Sequence, residues 1–158
     1  MANLFLKLDT IAGESTDDKH KGEIEIESFS WGLTQTGGPV GGGGGAGKAQ
    51  FEDLTLVAPT SSASPKLFVA AAGGEHLKEA NLTVRKAGEK PVEFYKIRLE
   101  DVLVSSFHTA GAEGEERPVD QFSLNFGKIH VSYSPQNEDG SLGAAVTGSW
   151  DLKKNASA

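Results

Sequence analysis

The chain has 158 residues, no cysteine, and a formal net charge of -7 from 15 Lys and Arg against 22 Asp and Glu. That length suits one domain that buries roughly 70% of its unfolded surface, and the missing cysteine removes disulfides and thiol chemistry. With no long basic run there is no cationic footprint for nucleic acid.

The N-terminus "MANLFLKLD" is interrupted by Lys7 and Asp9, so it predicts neither a cleavable signal nor a membrane-spanning helix. The expectation is a protein made in the cytoplasm whose export needs another route. Leu4, Leu6 and Leu8 alternate with Phe5, Lys7 and Asp9, the period of a half-buried strand. In "EIEIESFSWGLTQ" the apolar set runs Ile24, Ile26, then Phe29, Trp31, Leu33. The parity slips by one, which marks either a β-bulge or two faces buried in succession against different neighbours. Glu23, Glu25 and Glu27 share the opposite parity. They predict a wet strand face or a charged guard against wrong strand pairing, since acid and base carboxylates would need a cleft and a raised pKa on one member.

Next comes "TGGPVGGGGGAGK", Thr36 to Lys48. Gly42, Gly47 and Lys48 fit the G-x-x-x-x-G-K pattern of a phosphate-binding loop, but Ala49 stands where that pattern needs a hydroxyl for magnesium. The following "AQFEDLTLVAP" reads as a strand closed by Pro59, and no helix offers its N-terminus to an anion. Residues 37–48 are therefore expected to be a flexible loop between strands.

One helix follows, with Ser64 as expected N-cap, Pro65 in the first turn, Leu67, Phe68 and Ala71 as the apolar stripe, and Gly73 and Gly74 as the stop. "ANLTVRKAGEKPVEFYKI" predicts a hairpin turning near Ala87 to Lys90. The parity slip recurs between Leu99 and Val102, and again between the set Phe122, Leu124, Phe126 and the set Ile129, Val131, Tyr133. "TAGAEGEERP" and "SPQNEDGS" read as loops, and Leu142, Val146, Trp150 and Leu152 share one parity in a last strand. Long strands that change face, bent and bulged, predict an all-β fold, either a small barrel or a tightly packed sandwich.

Catalytic chemistry finds no constellation. His20, His76, His108 and His130 lack H-x-x-x-H spacing, no G-x-S-x-G surrounds a serine, and Ser105, Ser106 and His108 read as the end of a strand entering a loop. No catalytic, metal or cofactor site is expected. Asn81-Leu82-Thr83 and Asn155-Ala156-Ser157 carry no weight as glycosylation sites without a secretory signal.

Taken in order, "GESTDDKHKGEIEIESFSWG", the Gly-rich loop, "SPKL", "LTVRKAG", "LEDVLVSS", "SLNFGKI" and "GSLGAAVTGSWDLKKN" resemble the haemolysin-coregulated protein family, Hcp. These are the tube subunits of bacterial type VI secretion. The resemblance covers the chain from first strand to last, so residues 1–158 are expected to be one Hcp-like β-barrel domain. It implies a small β-barrel of two packed sheets, with bent, bulged strands and one short flanking α-helix, assembled into hexameric rings that stack into a tube inside a contractile sheath, with a spike protein at the tip. The tube would be driven out of the cell without a cleavable signal peptide, and effector proteins would travel in the lumen. Some relatives carry a toxin domain after the barrel, for which no length remains after Leu152.

Within that reading the candidates for ring stacking are Gly41, Gly42, Gly43, Gly44, Gly45 and Lys48, the loop reaching the adjacent ring and the lysine meeting an acidic surface. Ser30 lies between Phe29 and Trp31. If those two face the core, Ser30 points away from it, towards the channel or towards solvent. The rival reading is a monomeric β-barrel holding a small ligand. Large aromatics at candidate inward positions, Phe29, Trp31, Phe122, Phe126 and Trp150, would fill so small an interior.

Overall fold

The computed structural model describes residues 2–37, 48–88 and 90–158. In chain order the elements are β1 (Ala2–Leu8), β2 (Ile24–Ile26), β3 (Ser28–Ser30), β4 (Leu33–Gln35), β5 (Ala49–Phe51), β6 (Leu54–Pro59), α1 (Ser64–Gly73), β7 (His76–Lys86), β8 (Val92–Ala110), β9 (Val119–Tyr133), β10 (Val146–Asp151) and β11 (Ala156–Ser157). The all-β class and the single short helix agree with the pattern of the sequence. In place of two comparable packed sheets, nine strands form one sheet in the order β11-β10-β9-β8-β7-β1-β2, with β6 on β9 and β3 on β6. β4 and β5 form a separate ribbon.

The parity slips are what bend this sheet. At Glu27 the chain leaves β1, on which β2 pairs, and joins β6, on which β3 pairs. The Glu27 N–H donates to the Val57 carbonyl at 2.7 Å. β2 and β3 are consecutive and do not pair with each other, so the sheet is open by hydrogen bonding, yet segment 24–30 links β1 to β6 around the core. The other two slips are a single feature. Asp101 on β8 and Gly127 on β9 lie between the pairs Glu100–Lys128 and Val102–Phe126. Both strands exchange their buried face there. On the far side of the same point, β9 passes from β6, paired at 119–124, to β10, paired at 128–133. A true bulge comes later in β8, between Val104 and Ser106, and another lies in the β7–β8 hairpin between Val84 and Arg85.

The core gathers the alternating positions of every long strand: Leu6, Leu56, Val102, Phe122 and Leu124 are fully buried. Burial of this kind stabilises by about 1.5–3 kcal/mol per large apolar side chain. Phe29, Trp31 and Trp150, expected inside, are only partly buried and pack against the core from its margin. Helix α1 lays Leu67, Ala70 and the partly buried Ala71 against the core and leaves Phe68 exposed, so Ala70 stands in the stripe where the sequence suggests Phe68. Ala63, not Ser64, occupies the N-cap position, without a side-chain cap. The Ser64 hydroxyl instead donates to Asp120 on β9, whose other carboxylate oxygen accepts from Thr60 Oγ1 at 2.9 Å. The helix stops at Gly74, in the left-handed conformation at φ 61 that glycine tolerates at least cost.

Candidate assembly surfaces

The ribbon β4–β5 is the foot of the Gly-rich loop. Leu33, Thr34 and Gln35 pair with Phe51, Gln50 and Ala49, and Trp31 stacks on Phe51 with ring centres 6.4 Å apart. Thr36 Oγ1 donates to the Lys48 carbonyl at 3.5 Å. Lys48 is exposed beside it. Gly41, Gly42, Gly43, Gly44 and Gly45 lie outside the described residues.

Ser30 is exposed at the end of β3. Its position gains meaning from the register across four strands. Ser30 faces Thr55 on β6, Thr55 faces Ser123 on β9, and Ser123 faces Ser106 on β8. Because Leu54, Leu56, Phe122 and Leu124 point inward, these four hydroxyls form one row on the outer face of the sheet. Ser123 Oγ shares hydrogen bonds with Ser106 Oγ at 2.5 Å and Ser105 Oγ at 2.7 Å. Ser105, the extra residue of the bulge, also donates to Asp53 Oδ2 at 2.6 Å. Ser105, Ser106 and His108 are thus in mid-strand and not at a strand end, since β8 runs on to Ala110. The row was invisible in the sequence, where the four residues are spread over 77 positions. Alternation within one strand says nothing about register between strands.

A second polar assembly, also missed by pattern, fastens segment 13–23. Phe5, assigned to the wet face of β1, is buried. His20, in the segment before β2, stacks on it at 4.4 Å, and the guanidinium of Arg85, on the paired strand β7, lies 4.9 Å from the ring centre. Arg85 donates in a two-pronged fashion to Asp17, Nη1 to Oδ1 at 2.9 Å and Nη2 to Oδ2 at 2.6 Å. This fork holds the Asp17 carboxyl down at about 2, against an ordinary 3.8. His20 sits between two carboxylates, with Nδ1 2.9 Å from Glu23 Oε2 and Nε2 2.6 Å from Glu93 Oε1. Glu23 is therefore tied down, while Glu25 and Glu27 remain exposed beside a cleft also lined by Asp17 and Arg85. Every polar contact here joins one part of the chain to another, so the cluster reads as a fastener.

Among the described residues no group of three His, Cys, Asp or Glu side chains stands close enough to hold a metal ion. Nor, among them, is any helix long and apolar enough to cross a membrane.

Comparison with known proteins places this geometry. Residues 5–133 match the family described as type VI secretion system effector, Hcp. Protein hcp1 of Pseudomonas aeruginosa is 41% identical over 159 residues, covering 99% of this chain and 98% of that protein. A solved type six secretion system protein superposes with a TM-score of 0.93 at 30% identity, covering all of both chains. Hcp1 of Salmonella typhimurium gives 0.82 at 31% identity, covering 99% of each. A monomeric ligand-binding barrel finds no support in these likenesses.

Proposed function

The chain belongs to the Hcp family of type VI secretion proteins, and from this premise we propose how its surfaces serve the tube. It is a structural protein of that tube, a subunit of hexameric rings that stack and are propelled out of the cell. The observation that carries the reading is likeness running from the first strand to the last, in sequence and in backbone. Residues 1–158 act as one building unit, structural and without a catalytic task of their own. The ring requires a heterologous interface, one patch meeting a different patch on the next copy, so that rotation closes the circle. Stacking repeats that logic along the axis without closure, and weak contacts suffice because the subunits of a ring engage together.

The Gly-rich loop at 37–48 extends from the β4–β5 ribbon to the adjacent ring, with Lys48 meeting an acidic surface there. The hydroxyl row through Ser30 lines the lumen. Ser30, exposed at the end of this row, offers its hydroxyl to passing effector proteins, with the Asp53 carboxylate that binds Ser105 and Asn125 on the same face. The contractile sheath encloses the tube and the spike protein caps it. The subunit is made in the cytoplasm and is secreted without a cleavable signal peptide. Expression in a strain carrying the remaining secretion components tests this. The full-length chain, with Ala2 or Met1 at its start, is expected in the culture medium; retention in the cells, or a trimmed N-terminus, contradicts it.

A further inference from the structure

Between the β4–β5 ribbon and the β9–β10 ladder lies an open cleft of about 480 Å³. Trp31, Leu33 and Phe51 form one wall, and Ile129, Val131 and Trp150 the other. Among the described residues that line it, none is ionisable. Its floor extends along β9 and β10 to the cross-strand pair Tyr133 and Val146, which are 48% and 68% exposed. Leu33 on the opposite wall is 47% exposed. Here, then, a contiguous apolar surface faces water, a feature that marks an interaction site.

Two further observations say that protein fills it. Gly148 sits in the middle of β10, on the cleft face, and a Cβ built there meets nothing within 4 Å. Glycine inside a strand, where no neighbour among the described residues requires it, keeps space for the close approach of another group. The roof is a two-stranded ribbon whose outer strand β4 is exposed throughout, an arrangement that is marginal on its own. Charge then selects the occupant. Each copy carries a net charge of -7, so copies repel overall, and they meet most cheaply where neither like charges nor desolvated ions are involved. The other clefts described carry ionisable side chains; this one does not.

We propose that this uncharged cleft is the seat in which the neighbouring copy of the chain docks within the ring. The inference rests on the tube reading above and assigns one half of its heterologous interface. It also supplies its own probe, because Trp31 and Trp150 are the two tryptophans of the chain and both line the cleft.

The test compares the wild type with Leu33→Asp and Gly148→Phe, by sedimentation velocity and by acrylamide quenching of tryptophan fluorescence. Leu33→Asp would bury a charge in the docked interface, so dissociation shifts towards the monomer by about tenfold or more. Gly148→Phe fills the seat from within a strand that has room for it, and monomers with a normal melting curve are expected. In both variants the tryptophans become more quenchable than in wild-type rings, and Leu33→Met restores rings. Should Leu33→Asp fail to fold, Gly148→Phe decides. Rings of wild-type size in Gly148→Phe, with tryptophans as shielded as before, overturn the proposal and leave the tube reading intact. A wild type that never forms rings overturns both.

Discussion

Asp101 and Gly127 face each other across β8 and β9 at the point where both strands exchange their buried face. Asp101 holds a positive φ of 57, and a Cβ on Gly127 would stand 3.1 Å from Asp101 Oδ2 and 3.2 Å from its Cβ. The bend therefore depends on a residue that tolerates the left-handed region meeting one that has no side chain. Lys153 Nζ donates to Asp101 Oδ2 at 2.6 Å and holds the carboxyl below its ordinary range. Gly127 accepts a backbone bond from Leu152 at 2.9 Å, which ties the start of the C-terminal turn to the bend. Gly127→Ala crowds a side chain held by that ion pair, and a loss of about 1–2 kcal/mol is expected. Asp101→Val places a β-branched residue at positive φ and should cost a similar amount. Chemical denaturation reads both, and unchanged midpoints would show that the bend does not depend on this pair.

The Asp17–Arg85 fork makes a prediction in acid. The Asp17 carboxyl lies at about 2 in the folded chain and near 3.8 when free. Its contribution to stability is fully present above about pH 4 and is lost as pH falls towards 2. Melting temperature in wild type should fall across that window more steeply than in Asp17→Asn. Parallel curves for the two proteins would remove Asp17 from the acid response.

Ser30→Gln places a longer amide in the hydroxyl row without touching the core, since Ser30 is exposed. Rings should form as in wild type while retention of a co-expressed effector drops several-fold. Unaltered retention would take Ser30 out of the lumen.

Deleting Gly41 to Gly45 shortens the loop and leaves the ribbon pairs Leu33–Phe51 and Gln35–Ala49 in place. Single rings should survive, with tubes markedly shorter in electron micrographs. Tubes of unchanged length would show that the loop does not bridge rings.

Much of the architecture was legible in the alternation of single strands. Leu4, Leu6 and Leu8, the break after Ile26, and the stop at Gly73 and Gly74 all declare themselves within a few residues. The slip in β8 and the slip in β9 were each visible, but not that they are one bend, because that requires the register placing Asp101 opposite Gly127. The same limit hid the row of Ser30, Thr55, Ser123 and Ser106. Phe5 misled for a different reason. Lys7 keeps the outer face of β1 wet, but at Phe5 that face is covered by His20 and Arg85, 15 and 80 positions along the chain. Phe68 misled in the opposite sense, since an apolar residue within a helical stripe is free to face water.

Negative-stain electron microscopy of the purified protein, paired with sedimentation velocity across a range of concentrations, tests self-association most directly. Annular particles with sixfold averages, sedimenting as hexamers or stacks of them, are predicted. A single species of 16.6 kDa at every concentration, with no rings on the grid, would contradict the account.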